Sequence, residues 1–297
     1  MTADSGTSPG TSATPAAPAA PTAGAEATFG ARLAAAGERF GRLCVGVDPH
    51  ARLLHDWGLE DDVHGLAEFS ARCVEAFAGR VGLVKPQVAF YERHGSAGLR
   101  VLEETLAGFR EAGTLTLADA KRGDIGSTMA GYADAWLGQG SALRADAVTV
   151  SPYLGVGALA PAAEAAAEHH AGVFILAATS NPEAAEVQRT ADPDGATLAQ
   201  RVVEATERLA AAHPGATCGV VVGATLAEGP DLAGFSGPVL LPGVGAQGAS
   251  IADAERVAGA AAGRAWPNVS RAILSAGPSV EALRAAVGEF SPASLET

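Results

Sequence analysis

The chain has 297 residues, 48% hydrophobic, 18% charged and 5% aromatic, with 37 glycines; this profile supports a sizeable core and argues against a coiled coil or a wholly disordered chain. A formal net charge of −13 argues against a broad nucleic-acid surface, which needs a Lys/Arg excess to displace counterions, yet one arginine could still hold a phosphate. No apolar run reaches membrane-span length and the N-terminus lacks the basic-then-apolar pattern of a secretory leader, so the expected location is the cytoplasm, with no membrane partner. Cys44, Cys73 and Cys218 are odd in number and widely spaced, which suggests neither a disulfide framework nor a zinc site. They read as small buried hydrophobes.

Residues 1–28 contain 25 Ala, Pro, Thr, Ser or Gly and no Lys or Arg. Such a segment buries too little apolar area to offset its ordering entropy, so a disordered tail without chemistry is expected there. A single folded domain is expected over 29–297. The first β-rich run, Leu43–Asp48, closes on Asp48-Pro49 and precedes a helical pattern over Ala67–Phe77. The second, Gly82–Lys85, closes on Lys85-Pro86 and precedes a helix over Leu99–Ala112. The third, Leu115–Asp119, leads into Asp119-Ala120-Lys121-Arg122-Gly123-Asp124 and then a helix over Met129–Leu137. Ala147–Val150 is the fourth. The fifth, Val173–Ala177, runs into Thr179-Ser180-Asn181-Pro182, with a helix over Leu198–Ala212. The sixth, Gly219–Gly223, and the seventh, Pro238–Leu241, are joined by a short helix around Leu226. The seventh runs into Pro242-Gly243-Val244-Gly245-Ala246-Gln247-Gly248, followed by a helix over Ile251–Ala262. The eighth is assigned to Ser270–Leu274, beginning at Ser270-Arg271, with a last helix over Val280–Val287.

Strands alternating with helices imply a parallel sheet, and apolar runs without polar alternation fit strands covered on both faces. Eight such units predict an α/β fold, a closed (β/α)8 TIM barrel. No G-x-G-x-x-G follows the first strand, which weakens the dinucleotide-binding alternative. Barrel active sites sit at the C-terminal ends of the strands, where charges of both signs converge in this chain. Asp119 and Lys121 are two apart and point to one face of their strand; Asp124 lies beyond Gly123, in the next loop. A merely structural ion-pair cluster is the weaker reading, because an apolar pair is usually at least as stable as a buried ionic one. His50, His55 and His64 fit no standard ligand spacing and read as surface histidines. His169 and His170 sit near a helix end, where imidazolium suits the dipole. The stretch from Asn181 to Gly195 reads as a solvated loop rather than a second lid. Trp136 belongs under the barrel or in a subunit interface; Arg122 supports the charged network or a dimer, or is solvated.

Leu117-Ala-Asp-Ala-Lys-Arg-Gly-Asp-Ile-Gly-Ser-Thr128 resembles the signature of the orotidine 5′-phosphate decarboxylase family, an Asp-x-Lys-x-x-Asp core followed by Ile-Gly-x-Thr. The resemblance extends from Asp48 through Lys85 and Ser180 to Gln247 and Arg271. The Lys85-Pro86-Gln87 and Thr179-Ser180-Asn181-Pro182 contexts are similar to the bacterial branch of longer chains (type 2). The resemblance implies decarboxylation of orotidine 5′-monophosphate to uridine 5′-monophosphate, the last step of de novo pyrimidine synthesis. It further implies a charged network of Lys85, Asp119, Lys121 and Asp124, with Asp124 entering the neighbouring subunit's site of a homodimer. Asp48 and Lys85 are implied to hold ribose hydroxyls, with Asp124 and Thr128 reaching the ribose from across the dimer. Ser180 is implied to face the pyrimidine, Pro242 to line the base pocket, and Gln247 and Arg271 to grip the phosphate.

The chemistry agrees with that implication. Loss of CO2 from C6 of a pyrimidine leaves a vinyl-type carbanion without an electron sink. No cofactor motif or metal-ligand cluster is legible, so no cofactor or metal is expected and fixed charges are left to stabilise the anion. The expected proton donor to C6 is the Lys121 ammonium, flanked by carboxylates. General-acid transfer contributes roughly 3–5 kcal/mol of the more than 20 that the slowest reactions demand. The rest is expected from remote binding energy, with Arg271 on the phosphate and the Gly243–Gly248 loop closing over it. Two alternatives remain: a related Mg2+-dependent phosphosugar lyase or isomerase, and a non-catalytic nucleotide-binding barrel.

Overall fold

A computed structural model describes residues 1–2 and 27–290. The expected tail lies outside the described residues at 3–26, as do positions 291–297. Eight strands follow in chain order: β1 Cys44–Val47, β2 Leu83–Pro86, β3 Leu115–Arg122, β4 Ala147–Val150, β5 Gly172–Ala178, β6 Thr217–Val222, β7 Val239–Pro242 and β8 Ala265–Val269. Each pairs in parallel with the next, and β8 pairs back onto β1 (Val45 opposite Val269), so the barrel is closed. The helices are α1 Phe29–Phe40, α2 Ala51–Asp56, α3 Val63–Phe77, α4 Ala89–Glu92, α5 Gly95–Glu111 and α6 Gly126–Leu137. They continue with α7 Ala160–Glu168, α8 Ala185–Gln188, α9 Leu198–Ala212, α10 Ile251–Ala258, α11 Arg271–Leu274 and α12 Val280–Phe290. The (β/α)8 barrel expected from the alternating pattern is therefore the observed architecture. Among the described residues no helix is long and apolar enough to cross a membrane.

Two apolar layers build the core. The outer one lies between the strands and the helices, and takes in Leu102, Phe109, Trp136 and Ile175. The inner one fills the barrel and is plugged from the N-terminal end by α1. Phe29 and Leu33 reach inward onto Leu83, Leu117, Phe174 and Trp266, and Phe29 meets Phe174 edge-on with centroids 6.2 Å apart. Thr28 caps the helix by accepting from Ala31 N–H, which fixes where Phe29 enters. Gly172 makes room for it, since a Cβ there would lie 2.5 Å from the Phe29 ring. An ion pair from Arg32 to Asp146, whose other oxygen accepts from Thr116 N–H and its hydroxyl, fastens the plug to the start of β3 and β4.

Two expectations need correction. The eighth strand is Ala265–Val269, not Ser270–Leu274, which instead enters the short helix α11. Pro267 and Asn268 disguise the strand, because both are depleted in strands. The apolar pair that suggested a strand, Ile273 and Leu274, is buried on α11. The change matters for function: Arg271 lies just past the end of β8, on the same side as the other strand ends, rather than at a strand's start. Likewise no helix forms around Leu226 among the described residues; turns link β6 to β7. Gly223, Gly229, Pro230, Gly234, Gly237 and Pro238 break any helical run there, while Leu232 and Phe235 anchor the segment in the core.

Candidate active site

A cavity of about 430 Å3 opens at the C-terminal ends of the strands. Its floor is built around Asp119. The Oδ2 atom of Asp119 accepts from Lys85 Nζ at 2.9 Å and from Gln87 Nε2 at 3.0 Å. Its Oδ1 accepts from Lys121 Nζ at 2.6 Å and from the Thr149 hydroxyl at 2.8 Å. Four donors thus saturate one carboxylate. Lys85 is buried in the barrel, whereas the Lys121 side chain is 45% exposed and faces the cavity. Lys85 Nζ also lies 3.9 Å from Asp48 Oδ1, a buried atom with no hydrogen-bond partner. Asp48 lines the cavity, and a carboxylate there can accept from a ligand hydroxyl.

The local backbone explains how two charged residues of one strand reach this position. Lys121 adopts φ 50°, in the left-handed region. The pairing of β3 with β4 is irregular between Ala118 and Arg122. A bulge of this kind re-aims side chains next to active sites. Burial alone would raise the Asp119 carboxyl, but the two ammonium groups outweigh it and hold the group well below the usual carboxylate range. Burial alone would lower Lys85, but Asp119 and Asp48 reverse this and hold it above the usual lysine value. Cys44, behind Lys85, is pushed up by burial to about 12, so its thiol is no nucleophile at neutral pH.

The opposite wall carries groups suited to an anion. Arg271, Gln247 and Pro242 line it together with Gly243. Gly243, Gly245 and Gly248 all have positive φ, and Gly248 N–H donates to Gly245 O at 2.8 Å, which shapes a tight turn whose backbone can approach a ligand. Ser180 Oγ lies 3.5 Å from Gln247 Oε1. The turn that presents Ser180 is held from behind by Gln188. The Gln188 Oε1 accepts from Thr179 N–H at 2.7 Å and its Nε2 donates to Thr179 Oγ1 at 2.9 Å. The stretch expected as a solvated loop therefore contains α8 and a side chain that clamps the site.

Of the residues singled out from the sequence, Asp48, Lys85, Asp119, Lys121, Ser180, Pro242, Gln247 and Arg271 share this cavity. Asp124 and Thr128 do not line it. Asp124 Oδ1 accepts from Ile125 N–H at 2.8 Å, and Thr128 is exposed in the first turn of α6. His50 corrects the reading of its cluster as surface histidines. It is half-buried, lines the cavity beside Asp48, and its ring centroid lies 4.2 Å from that of Phe90. Burial lowers its pKa from the ordinary histidine value. His55 and His64 are exposed as expected, and no group of three or more potential metal ligands occurs among the described residues. Arg122 turns away from the cavity. It pairs with Glu92, donates to Ala120 O at 3.0 Å, and lies over the rings of Tyr132 and Trp136. Trp136 is buried in the outer layer of the core.

Thr149, Gln87 and Asn268 were not legible as site residues. Threonine in a strand reads as an ordinary β-former, and Asn268 was hidden by the misassigned eighth strand. Gln87 stood in the motif beside Lys85, and only its contact with Asp119 gives it meaning.

A family model described as orotidine 5′-phosphate decarboxylase / HUMPS family matches residues 41–286. An orotidine 5′-phosphate decarboxylase of Corynebacterium efficiens is 57% identical over 266 residues, spanning 88% of this chain and 95% of the relative. The enzyme of Salinispora arenicola is 57% identical over 261 residues, spanning 87% and 94%. Among solved structures, a Streptomyces avermitilis chain assigned to the same enzyme superposes with a TM-score of 0.84 at 50% identity, covering 93% of this chain and 97% of its own. Leishmania donovani UMP synthase gives a TM-score of 0.74 at 30% identity, covering 91% of this chain and 56% of its own.

Proposed function

The chain belongs to the orotidine 5′-phosphate decarboxylase / HUMPS family, and on that footing we propose that it decarboxylates orotidine 5′-monophosphate to uridine 5′-monophosphate with Lys121 as the proton donor. It is a carboxy-lyase of pyrimidine biosynthesis. The single observation that carries the residue roles is the Asp119 carboxylate shared by a buried Lys85 and a cavity-facing Lys121. In the reaction the C6–carboxylate bond breaks, CO2 leaves, and the electron pair stays on C6. The Lys121 ammonium stabilises that pair and then gives it a proton, leaving a neutral amine that regains its proton from water. Asp119 holds the ammonium in place, and its fixed negative charge near the substrate carboxylate favours departure of the latter.

Asp48 and Lys85 take the ribose hydroxyls. The shared place of Asp48 and Lys85 in the cavity wall, 3.9 Å apart, supports that role. Ser180 and Pro242 face the base. Arg271 and Gln247 hold the phosphate, and the Gly243–Gly248 loop closes over it. No step in this scheme uses a cofactor. The phosphosugar alternative and the non-catalytic barrel gain nothing from the relatives, which are named as decarboxylases.

The enzyme works as a homodimer in which Asp124 and Thr128 complete the neighbouring site. Two observations support this: both residues lie outside their own chain's cavity, and the chain also exposes large apolar side chains, Ile125 next to Asp124 at 61% and Tyr153 and Leu154 after β4 at 88% and 53%. Exposed apolar groups of this size commonly mark interfaces. A cytoplasmic location is supported by three buried, unpaired cysteines, the state a reducing compartment maintains. Incubation of the purified chain with orotidine 5′-monophosphate in EDTA tests the reading: uridine 5′-monophosphate should form at an undiminished rate. No uridine 5′-monophosphate with or without EDTA would overturn the reading.

A further inference from the structure

Thr149 is the β4 residue that faces the irregular stretch of β3. Ala118 pairs with Val148 and Arg122 with Val150, so Asp119, Ala120 and Lys121 together oppose Thr149 alone. The residue is 1% exposed. Its Oγ1 accepts from Lys121 N–H at 3.0 Å and donates to Asp119 Oδ1 at 2.8 Å. The amide can only donate and an ionised carboxylate can only accept. The direction of both hydrogen bonds is therefore fixed, and the single hydroxyl proton is committed to Asp119. Valines flank Thr149 on both sides in the strand, and a hydroxyl inside a barrel is unfavourable unless it is bonded. Lys121, meanwhile, holds a left-handed conformation that non-glycine residues keep only where their surroundings enforce it.

We propose that Thr149 is a positioning residue for the decarboxylation. Its hydroxyl ties the Lys121 backbone into the left-handed bulge and, through the same oxygen, orients the carboxylate that meets the Lys121 ammonium. Donor and carboxylate thereby keep one spacing through the reaction. This rests on the decarboxylase reading, and Thr149 acts through Asp119 and Lys121 rather than as a catalytic residue.

Thr149→Val and Thr149→Ser test it. Valine keeps the shape and removes both hydrogen bonds, and serine keeps both. Releasing the part-buried Lys121 amide and the Asp119 carboxylate from the hydroxyl should lower kcat about 10–100-fold. KM and the affinity for uridine 5′-monophosphate should stay within about threefold, the pattern of an interaction realised in the transition state. Thr149→Ser should restore kcat to within about threefold of the wild type. Wild-type kcat in Thr149→Val overturns the proposal. So does a parallel loss of kcat, product affinity and melting temperature, which marks a merely structural hydroxyl. Should the valine variant not fold, Thr149→Ala, which also lacks the hydroxyl, is read by the same criteria. A wild-type protein that does not turn over the nucleotide sinks the decarboxylase reading, whereas an active wild type with an indifferent valine variant sinks only the positioning role.

Discussion

Asp119 carries the electrostatics of the site. Its carboxyl is held low by Lys85 and Lys121 against its own burial, so it binds its proton more readily in the unfolded chain. The stabilisation this gives is fully present above the unfolded carboxylate value of about 3.9 and is lost as pH falls through the lower folded value. Lys85, held above its ordinary value, contributes in the opposite sense: its share is present below about 10.4 and fades at higher pH. Asp119→Asn leaves Lys85 buried without its closest counter-charge, and removal of one partner from a buried pair typically costs about 3–5 kcal/mol. Urea unfolding across a pH series should show that loss at pH 7 and a flatter acid limb below pH 4 in the variant. An acid limb as steep as the wild type's would mean Asp119 is not the group being protonated. Arg271 offers a separate check at this scale. Arg271→Ala should weaken uridine 5′-monophosphate by orders of magnitude more than uridine, measured by calorimetry; equal weakening of both would remove Arg271 from the phosphate.

At the scale of elements, the strand ends set what can meet. The motif on β3 was readable because chemistry there demands charged side chains in an apolar run, and no packing requirement produces Asp-x-Lys. The bulge that turns Lys121 into the cavity was not readable, because it depends on the register between β3 and β4. The eighth strand was misplaced for a related reason. Local preference disfavours Pro267 and Asn268 in a strand, but closure of the barrel needs a partner for β1 and β7 and overrides it: Asn268 Nδ2 donates to Cys44 O at 3.0 Å across that seam. Asn181–Gly195 looked solvated because most of its side chains are exposed; Asn181 and Gln188 reach back to Thr179. The role of α1 is equally tertiary. Phe29 is wholly buried against the barrel's inner residues, and Phe29→Ala should destabilise the fold by about 3–5 kcal/mol in chemical denaturation, with kcat nearly unchanged because the plug sits at the end remote from the cavity. A large fall in kcat at full folding would show the two ends to be coupled.

Across the whole molecule, α1 closes one end of the barrel with apolar side chains and the Arg32–Asp146 ion pair, while the other end opens into the cavity where the proposed phosphate site at Arg271 lies in an otherwise acidic chain. In the proposed dimer each cavity is completed by Asp124 and Thr128 of its neighbour. Asp48→Ala and Asp124→Ala proteins, each inactive alone, should regain part of the activity when mixed and allowed to exchange subunits, because one mixed site then carries neither substitution. No recovery would place Asp124 in its own chain's site. In the proposed reaction one ammonium, fixed by a shared carboxylate at the barrel rim, neutralises and protonates the carbanion. Single-turnover decarboxylation of orotidine 5′-monophosphate by Lys121→Ala, alongside its affinity for uridine 5′-monophosphate, tests this most directly. Near-complete loss of turnover, at least about 100-fold for a positioned proton donor, with product affinity largely kept, is the predicted result, and a variant that retains a tenth of the wild-type rate would contradict it.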